Sequence, residues 1–298
     1  MTILRAMNNN LVQTTTKDEL ILNGLYKSGD KNKPVVILIH GFTSDFYSHK
    51  FFHDIQKSLT ENELANVAIQ TRGTGIRTEF IKNGRRDGVW MGSFYEKLNE
   101  AHLDISAWID FLKEQGYKQF ILAGHSLGTI KSVRYLFEGE YADDIKKLIL
   151  LAPFDKNGYI EKLTEGKWKQ YAKMADQKTK EGKGQETIPD GYDDYPMSYQ
   201  SYASWYEDSE LSNIWDFYKG DKYNCTLLNE ISIPVQIIVG DSDDFFYIPK
   251  FSTIDSTKKI LESNISDLEL NIVKGAGHTY VGFEDEVAKL VNKFIASK

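Results

Sequence analysis

Six short runs of apolar, often β-branched residues punctuate the chain: VVILI at 35–39, NVAIQ at 66–70, FILA at 120–123, LILL at 148–151, VQIIV at 235–239 and LELNIV at 268–273. Segments of helical period separate them, which is the pattern of strands joined by crossover helices. Runs this dense predict strands buried on both faces. Between the second and third runs, Leu98, His102, Ile105, Trp108, Ile109 and Leu112 recur at threes and fours. That spacing predicts an amphipathic helix from about 97 to 115, stopped by Gly116, with His102 packed on its inner face. The fold class is α/β, with a mostly parallel, doubly wound sheet.

One interval breaks the rhythm. More than 80 residues separate LILL from VQIIV, too many for one crossover helix or an unstructured loop. The reading is a core of residues 1–153 and 231–298 with a helical lid inserted at 154–230. Residues 154–223 hold 14 of the 38 aromatic residues, so this element either presents rings to a ligand or packs them into a small core of its own. Its charges are segregated: eight lysines lie in 156–183, whereas 190–216 carries seven acidic side chains, no basic ones and seven tyrosines or tryptophans.

Composition removes several function classes. The single cysteine, Cys225, excludes an intrachain disulfide and a thiolate metal cluster within one chain, which suits a reducing, cytoplasmic location. The first sixteen residues lack a signal-peptide stretch, and no apolar run approaches the roughly 20 residues that span a bilayer, so membrane insertion is not expected. A net charge of −7 without an extended basic stripe argues against nucleic-acid binding. A homodimer is compatible with all of this.

The third run leads directly into Gly124-His125-Ser126-Leu127-Gly128 and then a helical pattern. G-x-S-x-G between strand and helix places a serine on a sharp turn at a helix N-terminus, where developing negative charge is favoured. Ser126 is therefore the candidate nucleophile; the alternative is a tight turn with Ser126 as a helix cap. A serine needs a base. Of six histidines, His125 abuts the nucleophile and points away, His102 is packed, His49 and His53 lie in an early helix or loop, and His40 ends a strand. His278, in a glycine-rich loop after the last strand, stands where α/β sheets place their sites. The orienting carboxylate comes from Gly240-Asp241-Ser242-Asp243-Asp244: Asp243 matches G-x-x-D after a strand, with Asp241, a turn former bonding its own backbone, as the alternative. For the oxyanion, the N–H of Leu127 and that of Phe42, after His40-Gly41, are the candidate donors.

With these motifs in the order His40-Gly41-Phe42, Gln70-Thr71-Arg72-Gly73-Thr74-Gly75, GHSLG, Gly240-x-x-Asp243 and Gly277-His278, the chain resembles the α/β-hydrolase superfamily over nearly its whole length. The resemblance implies a lid after the sixth strand that forms part of the substrate pocket. It also implies a serine hydrolase acting on esters, lactones, thioesters or amides, carboxylic esters being commonest, without cofactor or metal. Three departures stand out: Gln70 in place of an acidic residue, Thr129 in place of glycine after the elbow, and an elaborate loop at 78–95. The His-Gly-Phe start, that loop and the polar lid also look like bacterial relatives of siderophore esterases.

The expected activity is cleavage of a small to medium carboxylic ester through an acyl-enzyme on Ser126 with His278 and Asp243, and the aromatic, acidic lid suggests a substrate with hydroxyls, rings or positive charge. Rivals are an amidase or peptidase, a thioesterase, a lyase or transferase using the same serine, a ligand-binding receptor with vestigial hydrolysis, and a non-catalytic scaffold.

Overall fold

The computed structural model describes residues 10–83 and 87–297. The reading of the first sixteen residues as lacking a signal-peptide stretch falls outside them at 1–9, as do residues 84–86 of the elaborate loop. The chain opens with a hairpin, β1 (Asn10–Thr15) and β2 (Ile21–Lys27), then enters β3 (Val35–Ile39), α1 (Lys50–Glu61) and β4 (Asn66–Ile69). A second hairpin, β5 (Thr78–Phe80) and β6 (Val89–Met91), precedes α2 (Ala101–Glu114), β7 (Phe120–His125), α3 (Leu127–Glu138) and β8 (Ile145–Leu151). An inserted segment carries α4 (Lys156–Thr164), α5 (Trp168–Lys178), α6 (Tyr199–Trp205) and the short α7 (Leu227–Glu230). The chain returns through β9 (Val235–Gly240), α8 (Ile254–Asn264), β10 (Leu268–Val273) and α9 (Glu284–Ala296).

Eight strands form one sheet in the order β1-β2-β4-β3-β7-β8-β9-β10. All neighbours from β4 to β10 pair in parallel, while β1 with β2 and β2 with β4 are antiparallel. The order reverses at β3, because the chain steps to β4 on one side and later to β7 on the other; ligands bind α/β sheets at the carboxyl ends of strands around such a point. The insertion follows the sixth strand of this sheet in chain order.

Two apolar layers cover the sheet. On one face α1 and α9 pack together, with Phe51, Phe52, Ile55 and Leu59 of α1 buried, each worth about 1.5–3 kcal/mol. On the other face α2, α3 and α8 share a continuous core with the insertion's Trp168, Tyr202, Trp205, Trp215 and Phe217. The insertion therefore packs its rings into the core of the sheet as well as into the site.

The structure corrects several expectations. The hairpin β1–β2 did not stand out among dense apolar runs, because ILNGLYK alternates buried and half-buried residues, as a one-sided antiparallel strand does. The elaborate loop contains the hairpin β5–β6. Strand β10 is not buried on both faces: it is the sheet edge, and Ile272 is exposed. His102 is half-exposed and bonds the Asn99 carbonyl at 2.9 Å. Asp104 takes the buried place, because its carboxylate accepts the Arg72 N–H at 2.8 Å and Nε–H at 3.0 Å. Gln70 accepts the Asn23 backbone N–H at 2.8 Å and its side-chain N–H at 2.9 Å, tying the end of β4 to β2.

Candidate active site

Ser126 lies between β7 and α3 with φ 55° and ψ −120°, a strained conformation for a residue with a side chain. The flanking glycines follow from close packing. A Cβ at Gly124 would lie 2.2 Å from the Gly128 carbonyl oxygen, and one at Gly128 would lie 2.3 Å from that of Ile39. The Ser126 N–H donates to Leu151 at 2.9 Å, and its carbonyl accepts from the Thr129 N–H and hydroxyl at 3.0 and 2.6 Å. This holds the turn from both sides.

The loop after β10 brings His278 over this serine. Its Nε2 lies 2.8 Å from Ser126 Oγ, and its Nδ1 lies 2.9 and 3.0 Å from the two carboxylate oxygens of Asp243. Asp243 is fully buried, and its Oδ1 also accepts the Phe245 N–H at 2.9 Å. Asp241 makes no such contact with His278. It accepts the Gly275 N–H at 2.6 Å, so it pins the histidine's loop to the end of β9, a cross-loop role in place of the expected turn within its own segment.

On the opposite side, the loop after β3 passes so close that a Cβ at Gly41 would sit 2.8 Å from Ser126 Cβ. Among the described residues, neither the Phe42 N–H nor the Leu127 N–H donates to a protein acceptor. His40 does not reach the serine. Its Nδ1 pairs with the Gly41 carbonyl at 2.8 Å and its Nε2 with the Thr74 hydroxyl at 2.9 Å, and burial lowers its pKa to about 3, so it is a neutral brace under this loop.

A model of the serine aminopeptidase S33 family matches residues 30–286, a span that includes every motif from His40 to His278. The chain belongs to this α/β-hydrolase family. Among solved structures it is similar to Est1E from Butyrivibrio proteoclasticus with ferulic acid bound, at 18% identity and TM-score 0.62 over 95% of this chain and 98% of that one. It is also similar to the Pyrococcus furiosus esterase Pf2001, at 18% identity and TM-score 0.59 over 97% and 91% of the two chains. A complex of DcsB with its substrate analogue gives TM-score 0.66 at 15% identity, over 97% and 98%. No curated protein matches the sequence.

In this hydrolase, Ser126 and His278 open onto a cavity of about 330 Å³. Its lining combines the rings of Phe42, Phe154, Tyr159, Tyr195, Trp205 and Phe245 with the polar Thr43, Ser44, Asp45, Ser48 and His49. The insertion thus contributes part of the lining. Among the acidic side chains of 190–216, Asp193 lines the cavity, Asp194 accepts the Tyr159 hydroxyl, and Asp190 is exposed and outside the lining. Burial raises the Asp193 carboxyl to about 6.

Sequence reasoning set His125 aside. Its ring does turn from the serine, but Nε2 pairs with the His278 carbonyl at 2.9 Å, so the elbow's own histidine supports the base's backbone. Burial holds its pKa well below 6.5, which leaves it neutral, with Nδ1 unpartnered among the described residues. Phe245, two residues after Asp243, packs its ring 4.8 Å from that of His278 at a tilt of 51° and was also missed. Nothing in one sequence marks it beyond its place after the acidic loop. Among the described residues no group of three or more His, Cys, Asp or Glu side chains is arranged to hold a metal ion, and no helix is long and apolar enough to cross a membrane.

Proposed function

We propose that this protein is a serine hydrolase that cleaves small to medium carboxylic esters through an acyl-enzyme. The observation that carries the reading is the unbroken chain from Ser126 Oγ to His278 Nε2 and from His278 Nδ1 to Asp243, at 2.8 and 2.9 Å. His278 takes the Ser126 proton as Oγ attacks the substrate carbonyl, and buried Asp243 holds the imidazole's tautomer and offsets its charge. The developing oxyanion accepts from the N–H groups of Phe42 and Leu127, donors without a protein partner among the described residues. His278 then protonates the leaving alcohol, and afterwards activates the water that releases the acid. These steps need no cofactor.

The fold likeness to esterases and the aromatic lining of a cavity of about 330 Å³ support an ester with a modest acyl group. The insertion, residues 154–230, acts as the cap over that group. The family's description favours a second reading, an amidase or aminopeptidase using the same three residues. Both are tested by following p-nitrophenyl esters from acetate to palmitate, and aminoacyl p-nitroanilides, with wild type and Ser126→Ala, alongside fluorophosphonate labelling. Turnover and labelling confined to wild type, with a maximum at short to medium chains, is the expected result. Anilide turnover exceeding ester turnover selects the second reading, and labelling that survives in Ser126→Ala rejects the nucleophile.

A further inference from the structure

The mechanism leaves Lys131 without a task. It lies on α3, in the helix that starts from Ser126, and its side chain is fully buried. Its Nζ donates to Glu96 Oε1 at 2.5 Å and to Thr71 Oγ1 at 3.3 Å. Glu96 is as deeply buried, and its Oε2 has no partner among the described residues. The desolvation of two charges outweighs their attraction unless the remaining oxygens and protons are also satisfied. The pair is therefore a poor device for stability, and its place next to the site gives it another use.

From Lys131 the hydrogen bonds run in one direction. The Gly41 carbonyl can only accept, so His40 carries its proton on Nδ1 and donates it there at 2.8 Å. His40 Nε2 is then an acceptor, as the Thr71 N–H at 3.4 Å also requires. The Thr71 hydroxyl, 3.0 Å from that nitrogen, donates to it and accepts from the Lys131 ammonium. The Thr74 hydroxyl donates to the same nitrogen at 2.9 Å. The order is Lys131 to Thr71, Thr71 to His40, and His40 to the Gly41 carbonyl. That carbonyl and the Phe42 N–H belong to one planar peptide unit, whose resonance couples them. Drawing electrons toward the carbonyl oxygen makes the N–H a stronger donor, and successive hydrogen bonds in a dry interior reinforce one another. A charge at the head of this chain thus acts on the group that meets the oxyanion.

We propose that Lys131 is a positioning residue for the oxyanion: through Thr71 and His40 it fixes and polarises the Gly41–Phe42 peptide, whose N–H receives the developing charge. Glu96 holds the ammonium in place for this. The role rests on the serine-hydrolase reading and extends its machinery to a residue that touches no substrate.

The test follows p-nitrophenyl butyrate turnover and inhibition by 1,1,1-trifluoroheptan-2-one, whose hemiketal with Ser126 carries the same oxyanion. Thr71→Val cuts the chain and leaves the Lys131–Glu96 pair intact. It should lower kcat about tenfold with KM little changed, against roughly 100- to 1000-fold when an oxyanion donor is lost outright. Affinity for the ketone should fall by a like factor, and Thr71→Ser should restore both. Lys131→Met combined with Glu96→Leu removes both charges at similar volume, leaves neither buried alone, and should show the same losses. Adding Thr71→Val to that pair should cost little more, because all three changes break one chain. Should the paired variant fold poorly, Thr71→Val and its serine rescue decide alone. Unchanged kcat or ketone affinity in either variant, losses that multiply, or no rescue by serine overturns the positioning role and leaves the hydrolase standing. Failure of wild type to turn over the ester, bind the ketone and take the fluorophosphonate label overturns the hydrolase reading, and the positioning role falls with it.

Discussion

At the scale of single residues, the site is a set of contacts in which each side chain has one geometric task. Ser126→Ala and His278→Ala should each lower kcat by about 10⁴- to 10⁶-fold while leaving the thermal midpoint near wild type, and the double variant should lose little more. Ester turnover by the three proteins checks this. Asp243→Asn should cost about 10⁴-fold, because an amide no longer secures the tautomer that points a lone pair at the serine, whereas Asp241→Ala should act on stability first, through loss of the acceptor for the Gly275 N–H. These residues were legible in the sequence because strong chemistry uses few side-chain types in short motifs. The two candidate aspartates were separable only by their spacing from Gly240, and the structure puts the histidine bond on Asp243. Of the remaining pocket residues, those outside the motifs and the 190–216 segment were not legible. Asp45, His49, Tyr159 and Phe245 meet only when distant segments fold together, and no local pattern marks any of them.

At the scale of elements, the insertion is bound to the machinery from two directions. Trp205 on α6 packs against Phe42, and the Trp215 indole N–H donates to Thr129 Oγ1 at 2.9 Å while that hydroxyl donates to the Ser126 carbonyl at 2.6 Å. Thr129, a departure where glycine was expected, is thus the joint between the insertion and the elbow. Removing its hydroxyl loosens the turn that aims Ser126 and the Leu127 N–H. Thr129→Val should lower kcat about tenfold with KM little changed, and Thr129→Ser should restore it; a loss of stability alone would move neither the kcat–KM split nor the serine rescue. The parallel strands were readable because burial on two faces forces dense apolar runs. Strands β1 and β2 were not, since an antiparallel strand facing the core on one side needs apolar residues only at alternate positions. Nor was the insertion's packing, because its aromatic richness suits a substrate wall and a shared core equally, and the structure uses it for both.

At the scale of the whole molecule, the site is assembled by burying groups that water would otherwise charge, and this leaves a mark on stability against pH. His40 is fully buried with its pKa at about 3, below the unfolded value of about 6.5. Between those values the unfolded chain binds more protons, so His40 contributes stability that is complete above about pH 6.5 and is lost as pH falls through that window. The loss reaches about 2–3 kcal/mol by pH 4.5. Asp193 acts with the opposite sign. Its folded pKa of about 6 lies above the unfolded 3.8, so the folded state binds more protons between them, and ionisation at higher pH weakens the fold. Partial solvent access limits that cost to about 1 kcal/mol. Two substitutions separate the terms in thermal unfolding. His40→Gln, which cannot titrate, should be less stable than wild type at pH 7 yet lose less on going to pH 4.5. Asp193→Asn should gain stability at pH 8 and little at pH 4. Parallel shifts of either variant across the whole pH range would mean that the buried histidine or the pocket carboxylate does not titrate as its surroundings require.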